Sequence, residues 1–146
     1  MIILIDNREQ LPYFFKGYPV EVKTCHLKTG DYSIEGYEAK ITVERKSKQD
    51  LYMSLGRERD RFEAEFQRLR EFEYAALVIE SSLSGLLVPP ARSQMNPKSI
   101  IQSLISWSIR YEVYVFFSDN RTYSECLIYS LFEKYLYNLE KFVSNQ

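Results

Sequence analysis

The chain has 146 residues, 45% hydrophobic and 15% aromatic, enough for one domain around one sizeable core. Five glycines and five prolines exclude a collagen-like or low-complexity chain, and 27% charged residues at a net charge of −1 exclude a disordered polyelectrolyte. That balance also removes the simplest argument for nucleic-acid binding, a globally basic protein, so such a reading depends on where the charges sit.

Cys25 and Cys126 cannot build a disulfide framework, and with the single His26 they cannot build a Cys/His metal site. The apolar opening, Ile2 to Ile5, stops at Asp6 and is too short for a signal peptide. No apolar run approaches a membrane span. These features lead us to expect an intracellular protein, cytoplasmic or nucleoid-associated, with no membrane partner and no small-molecule cofactor.

Ile2 to Ile5 reads as a buried strand whose C-terminal end carries the polar cluster Asp6-Asn7-Arg8-Glu9. Pro12, Gly17 and Pro19 mark a loop, and residues 20–24 suit a short strand. Thr29-Gly30-Asp31 turns into a strand at residues 32–34. Residues 40–46 alternate cleanly, with Ile41 and Val43 on one face and Thr42, Glu44 and Lys46 on the other. Gly36 between the two runs predicts a hairpin.

Residues 50–72 switch to helical periodicity, with Gly56 dividing the stretch into two helices. Residues 74–80 read as a buried strand. A short helix over 82–87 ends before Pro89-Pro90, and Asn96-Pro97 starts another that runs to about Tyr111. A strand at 113–117 and a long amphipathic helix from Asn120 to about Val143 complete the chain. The order predicts an α/β sandwich around a mixed sheet, with the last two strands parallel across a helical crossover.

The chemistry concentrates around that hairpin. Glu44 and Lys46 leave one face of a strand roughly 7 Å apart, so they can share a small site. Asp31 opens the neighbouring strand, and Asp6 and Glu9 lie at a strand end where α/β sheets expose their sites. Carboxylates gathered in one place raise one another's pKa, and a hard divalent cation relieves that cost. Such a cation would polarise a phosphate and acidify a bound water, with Lys46 holding the water or the developing oxyanion.

Gly30-Asp31 followed by Val43-Glu44-Arg45-Lys46-Ser47-Lys48-Gln49-Asp50 resembles the G-D…V-E-R-K-x-x-x-D signature of the XPF-type structure-specific endonucleases. Asp6-Asn7-Arg8-Glu9 resembles the D-x-R-E segment before it, and Ser54-Leu55-Gly56-Arg57 the segment after it. The resemblance implies a single PD-(D/E)xK nuclease domain over residues 1–146, with a restriction-endonuclease-like mixed sheet flanked by helices. It implies hydrolysis of DNA near branches or flaps, in repair or recombination, with Mg²⁺ as cofactor and Mn²⁺ able to substitute.

By the same resemblance, Asp6, Glu9, Asp31 and Glu44 ligate metal. Asp31, Glu44, Arg45, Lys46 and Asp50 form the catalytic set, and Arg8 and Arg57 approach the DNA backbone. The residues themselves leave plainer readings open: Asp50 as a helix cap, and the charges of residues 57–71 as a solvated helix face. Arg92 and Lys98 lie in a stretch from Ala91 to Tyr111 without Asp or Glu, the locally basic region, and are further candidates for phosphate contact. The chain lacks the tandem helix-hairpin-helix module common in that family, which implies a short form. An exposed aromatic face on the last helix would suggest a homodimer. The rival expectations are a non-catalytic DNA-binding scaffold or partner subunit, and a resolvase-like or restriction-like nuclease.

Overall fold

The computed structural model describes residues 1–144, so the expected domain runs two residues, Asn145 and Gln146, beyond what is described. Six strands form one sheet: β1 (Ile2–Asp6), β2 (Glu21–Cys25), β3 (Tyr32–Ile34), β4 (Ile41–Ser47), β5 (Tyr74–Glu80) and β6 (Tyr114–Phe117), in the order β2-β1-β3-β4-β5-β6. β1 and β2 are parallel, as are β4, β5 and β6; β3 runs antiparallel to both β1 and β4. The sheet is mixed as expected, and the β3/β4 hairpin around Gly36 and the parallel pair β5/β6 are both present.

Two apolar layers cover it. The first comprises α1 (Lys48–Leu55), α2 (Arg59–Leu69), α3 (Leu83–Leu86) and α4 (Pro97–Tyr111), packed on Ala75, Leu77 and Ile79. The second is α5 (Arg121–Ser144) with the loop carrying Tyr13 and Phe15, packed on Ile3, Ile5, Ile41, Val43, Ala76 and Val78. Period-two alternation assigns the two sets of strand residues to opposite layers. Among the described residues no helix is long and apolar enough to cross a membrane.

Local sequence explains the helix bounds. The Ser47 side chain accepts from the Asp50 N–H and starts α1. Gly56 follows α1 as its C-cap, and no side chain fits there, since a Cβ would stand 2.9 Å from both the Met95 Sδ and the Tyr52 carbonyl. Asn96 caps α4 by accepting from the Lys98 N–H, and Pro97 occupies the first turn, where its missing N–H costs nothing.

Candidate active site

β1 and β4 end where β3 begins, so three neighbouring strand termini present carboxylates side by side. Asp6 closes β1, Asp31 precedes β3, and Glu44 lies within β4. The Asp6 N–H donates to the Asp31 carbonyl at 2.8 Å, and the Asp31 N–H donates to the Val43 carbonyl at 2.9 Å. The turn into Asp31 requires Gly30: its φ is +87°, and a Cβ would collide with the Thr42 side chain, whose hydroxyl donates to the Thr29 carbonyl.

These termini open into a cavity of about 330 Å³ lined by Asp6, Asp31, Glu44 and Lys46 from the sheet and by Arg61 and Glu65 from α2. Five acidic and five basic side chains line it in all. Lys46 lies 3.9 Å from Glu44 Oε1 and above the Phe62 ring, 5.1 Å from its centre. That ring walls off one side of the ammonium and leaves its donors turned into the cavity.

The carboxylates are poorly compensated. Burial pushes the Asp31 carboxyl up to about 7, helped by the charge of Glu9; the Arg45 N–H and a hydrogen bond with Glu44 oppose it. Burial also raises Glu44 well above its ordinary value, and Asp31 and Glu65 add to the effect. Asp31 and Glu44 from the sheet thus face Glu65 of α2 across the cavity. Asp6 differs. Burial raises its pKa too, but Arg8 Nε at 2.8 Å and the Leu27 N–H at 2.9 Å outweigh burial and hold it below the usual carboxylate range.

The donor set can be tested for a hard cation. Among the described residues, no three acidic, histidine or cysteine groups come together to cage an ion unaided. Mg²⁺ needs no such cage: it keeps several waters and binds through one or two carboxylates plus substrate phosphate oxygens. The half-buried Asp31 and buried Glu44, whose like charges disfavour joint ionisation, fit that requirement.

Not every candidate from the sequence reaches the cavity. Glu9 and the Arg45 side chain sit on the opposite face of β4, where Arg45 Nη1 lies 3.4 Å from Glu9 Oε2 and Nε lies 2.6 Å from Glu80 Oε1. Alternation along β4 requires this for Arg45, and the turn after β1 swings Glu9 toward it. Arg45 still orders the site through its backbone N–H, which holds Asp31 Oδ2 at 2.8 Å. Asp50 is exposed in the first turn of α1, outside the cavity. Arg57, Arg92 and Lys98 are exposed beyond its lining; Arg8 does line it.

The profile of the ERCC4 domain matches residues 5–131. The chain belongs to the ERCC4-domain family. Among solved structures, XPF from Aeropyrum pernix matches with a TM-score of 0.70 at 22% identity, covering 91% of this chain and 60% of that one. XPF from Aeropyrum pernix in complex with DNA matches with a TM-score of 0.73 at 22% identity, covering 94% and 66%. This chain therefore spans less than two thirds of either, and at that identity the match shows a shared fold. No curated protein matches the chain by sequence.

Within this ERCC4 domain, the structure adds cavity residues that the motif reading passed over: Lys28, Arg61, Glu65 and Arg68. Arg61, Glu65 and Arg68 recur at helical spacing on one face of α2, with Glu58 at its N-cap, beside the core stripe of Phe62, Phe66 and Leu69. Sorting the charges of α2 around the helix rather than along the chain would have separated this face from the solvated one. Among the described residues, Lys28, Arg61 and Arg68 make no ion pair or side-chain hydrogen bond, in contrast to Arg8, Arg45 and Arg110.

Proposed function

We propose that this ERCC4 domain is a divalent-metal-dependent DNA endonuclease, with Mg²⁺ as the natural ion, acting on branched or flapped duplex. The observation that carries the reading is the lysine held beside a mutually repelling carboxyl pair in a cavity rimmed by unpaired cations. Asp31 and Glu44 would hold the ion, with Asp6 alongside. The ion supplies Lewis-acid polarisation of the phosphate and acidification of water.

The chain's own groups do the rest. Lys46 presents its ammonium where the attacking water or a non-bridging phosphate oxygen comes to lie. The Phe62 ring and Glu44 fix that ammonium in place. Arg61, Lys28 and Arg68 orient the backbone through adjacent phosphates. The Arg45 N–H donates to Asp31 Oδ2 and fixes that carboxylate, which would hold the ion.

The test is cleavage of labelled fork, flap and linear duplex DNA with and without Mg²⁺, with Lys46→Ala alongside. The expected result is Mg²⁺-dependent cutting of branched substrates, lost by roughly 10²–10⁴-fold in Lys46→Ala. Binding without cutting by the native chain would favour the scaffold reading instead.

The last helix does expose aromatic side chains, Tyr123, Tyr137 and Phe142, and for the homodimer we propose a second surface at the β6 edge of the sheet. β6 is an edge strand, and Tyr114 and Phe117 on it, with Ile105 and Ile109 on α4, form an exposed apolar surface. Sedimentation should show a dimer that Ile109→Glu, 74% exposed in the single chain, converts to monomer. A monomeric native chain would remove the assignment.

A further inference from the structure

Beside the first cavity lies a second, of about 580 Å³. The two share Lys28, Thr29 and Arg68 as a common wall. Its remaining walls are apolar where Leu27 is buried and Phe72 half-buried, and Ala39, His26 and Glu38 are exposed at the rim. Leu27 is buried and its N–H donates to Asp6 Oδ1, so the two cavities are tied through one hydrogen bond.

The shared cations are the distinctive feature. Glu71 lines the same cavity three residues from Arg68, yet among the described residues neither Arg68 nor Lys28 has an anionic partner. Two exposed, uncompensated cations between two cavities form a place for an anion. The size of the second cavity suits one nucleotide and excludes a duplex, whose major groove alone is about 12 Å wide. Its apolar floor with one aromatic ring suits the π-face of a base, which stacks on such surfaces whatever its identity.

We propose that the second cavity is a subsite for one unpaired nucleotide next to the phosphate bound in the first. Its phosphate sits between Lys28 and Arg68, and its base lies against Leu27 and Phe72. This deepens the reading of the first cavity as a phosphodiester site and depends on it. It also supplies a physical reason for choosing branches: a continuous duplex must break a base pair to fill the subsite, whereas a flap or frayed end offers the nucleotide already unpaired.

Ala39 is exposed in the turn between β3 and β4, so Ala39→Trp blocks the subsite without touching the core. The experiment measures affinity for a labelled blunt duplex and for the same duplex with a short oligothymidine tail, with Ca²⁺ in place of Mg²⁺. The expected native preference for the tailed duplex is roughly tenfold, the effect of stacking one base, and Ala39→Trp should abolish it. A fluorescent adenine analogue at the first unpaired position should be quenched by the native chain and not by the variant. Equal affinity for both DNAs, or an undiminished preference or undiminished quenching in Ala39→Trp, would overturn the subsite and leave the nuclease reading standing. A folded chain that binds neither DNA would overturn both.

Discussion

Consecutive residues of β4 serve two opposite arrangements of charge. On the α5 side, Arg45 lies between Glu80 and Glu9, bonds the Leu11 carbonyl at 2.8 Å and stacks 4.1 Å above the Tyr13 ring. Arg121 covers the same ring at 4.7 Å and holds the Leu11 and Pro12 carbonyls, while the Tyr13 hydroxyl donates to Glu80. Each carboxylate there has a cation or a hydroxyl donor, although burial still raises both Glu9 and Glu80 above their ordinary value. On the α2 side, Asp31 has no side-chain cation, Glu44 has one only at 3.9 Å, and the cations of the rim stand apart. Burial alone does not separate the two faces, since both carry buried charge. What separates them is whether the chain neutralises its own charges or leaves that to a ligand.

The sharpest way to break the comparison is to remove the compensating cation. Arg45→Ala leaves Glu80 and Glu9 largely buried without it and frees the loop after β1. Loss of one partner from a buried pair costs about 3–5 kcal/mol. Urea unfolding should show a loss of that size, while the Arg45 N–H that holds Asp31 is kept in the variant. A loss below about 1 kcal/mol would mean that Arg45 does not compensate that face.

The α2 side predicts the opposite sign. Asp31 keeps its proton to about pH 7 in the folded chain against an ordinary value of 3.8. The folded state therefore binds more protons between those limits, and stability without a divalent cation falls as pH rises through that window. Asp31→Asn removes the penalty. In chelator above neutral pH, the variant should be more stable than the native chain by on the order of 2 kcal/mol, and the gap should close toward acid. Mg²⁺ should stabilise the native chain and not the variant. A variant less stable above neutral pH would place Asp31 with the compensated charges of the other face.

Much of this division could be read in advance. Period two in residues 40–46 separates Glu44 and Lys46 from Ile41 and Val43, and by the same count places Arg45 with the latter. The strand at Tyr74–Glu80 and the start of α4 at Asn96-Pro97 were equally legible, because alternation, capping and proline act within a few residues. Glu9 was not. It follows a strand through an irregular turn, where no period says which face a side chain takes. Arg61, Glu65 and Arg68 were hidden differently: their face of α2 is defined only once the break at Gly56 sets how α2 lies on the sheet. A site assembled between elements needs their packing, which local rules do not contain.

The smallest effect separates two arginines four residues apart. Resemblance in sequence points to Arg57 as the phosphate contact, whereas the structure lines the cavity with Arg61 and leaves Arg57 outside it. If the uncompensated face is where DNA lies, Arg61→Ala should weaken binding several-fold and lower the slope of log affinity against log salt by about one. Arg57→Ala should change neither appreciably. The reverse result would move the phosphate path off the cavity and onto the turn between α1 and α2. There Gly56 packs against Met95, and Arg92 and Lys98 flank that same segment in sequence. The comparison of faces would then hold for the metal site but not for the DNA track, and the locally basic segment would become the place to look for it.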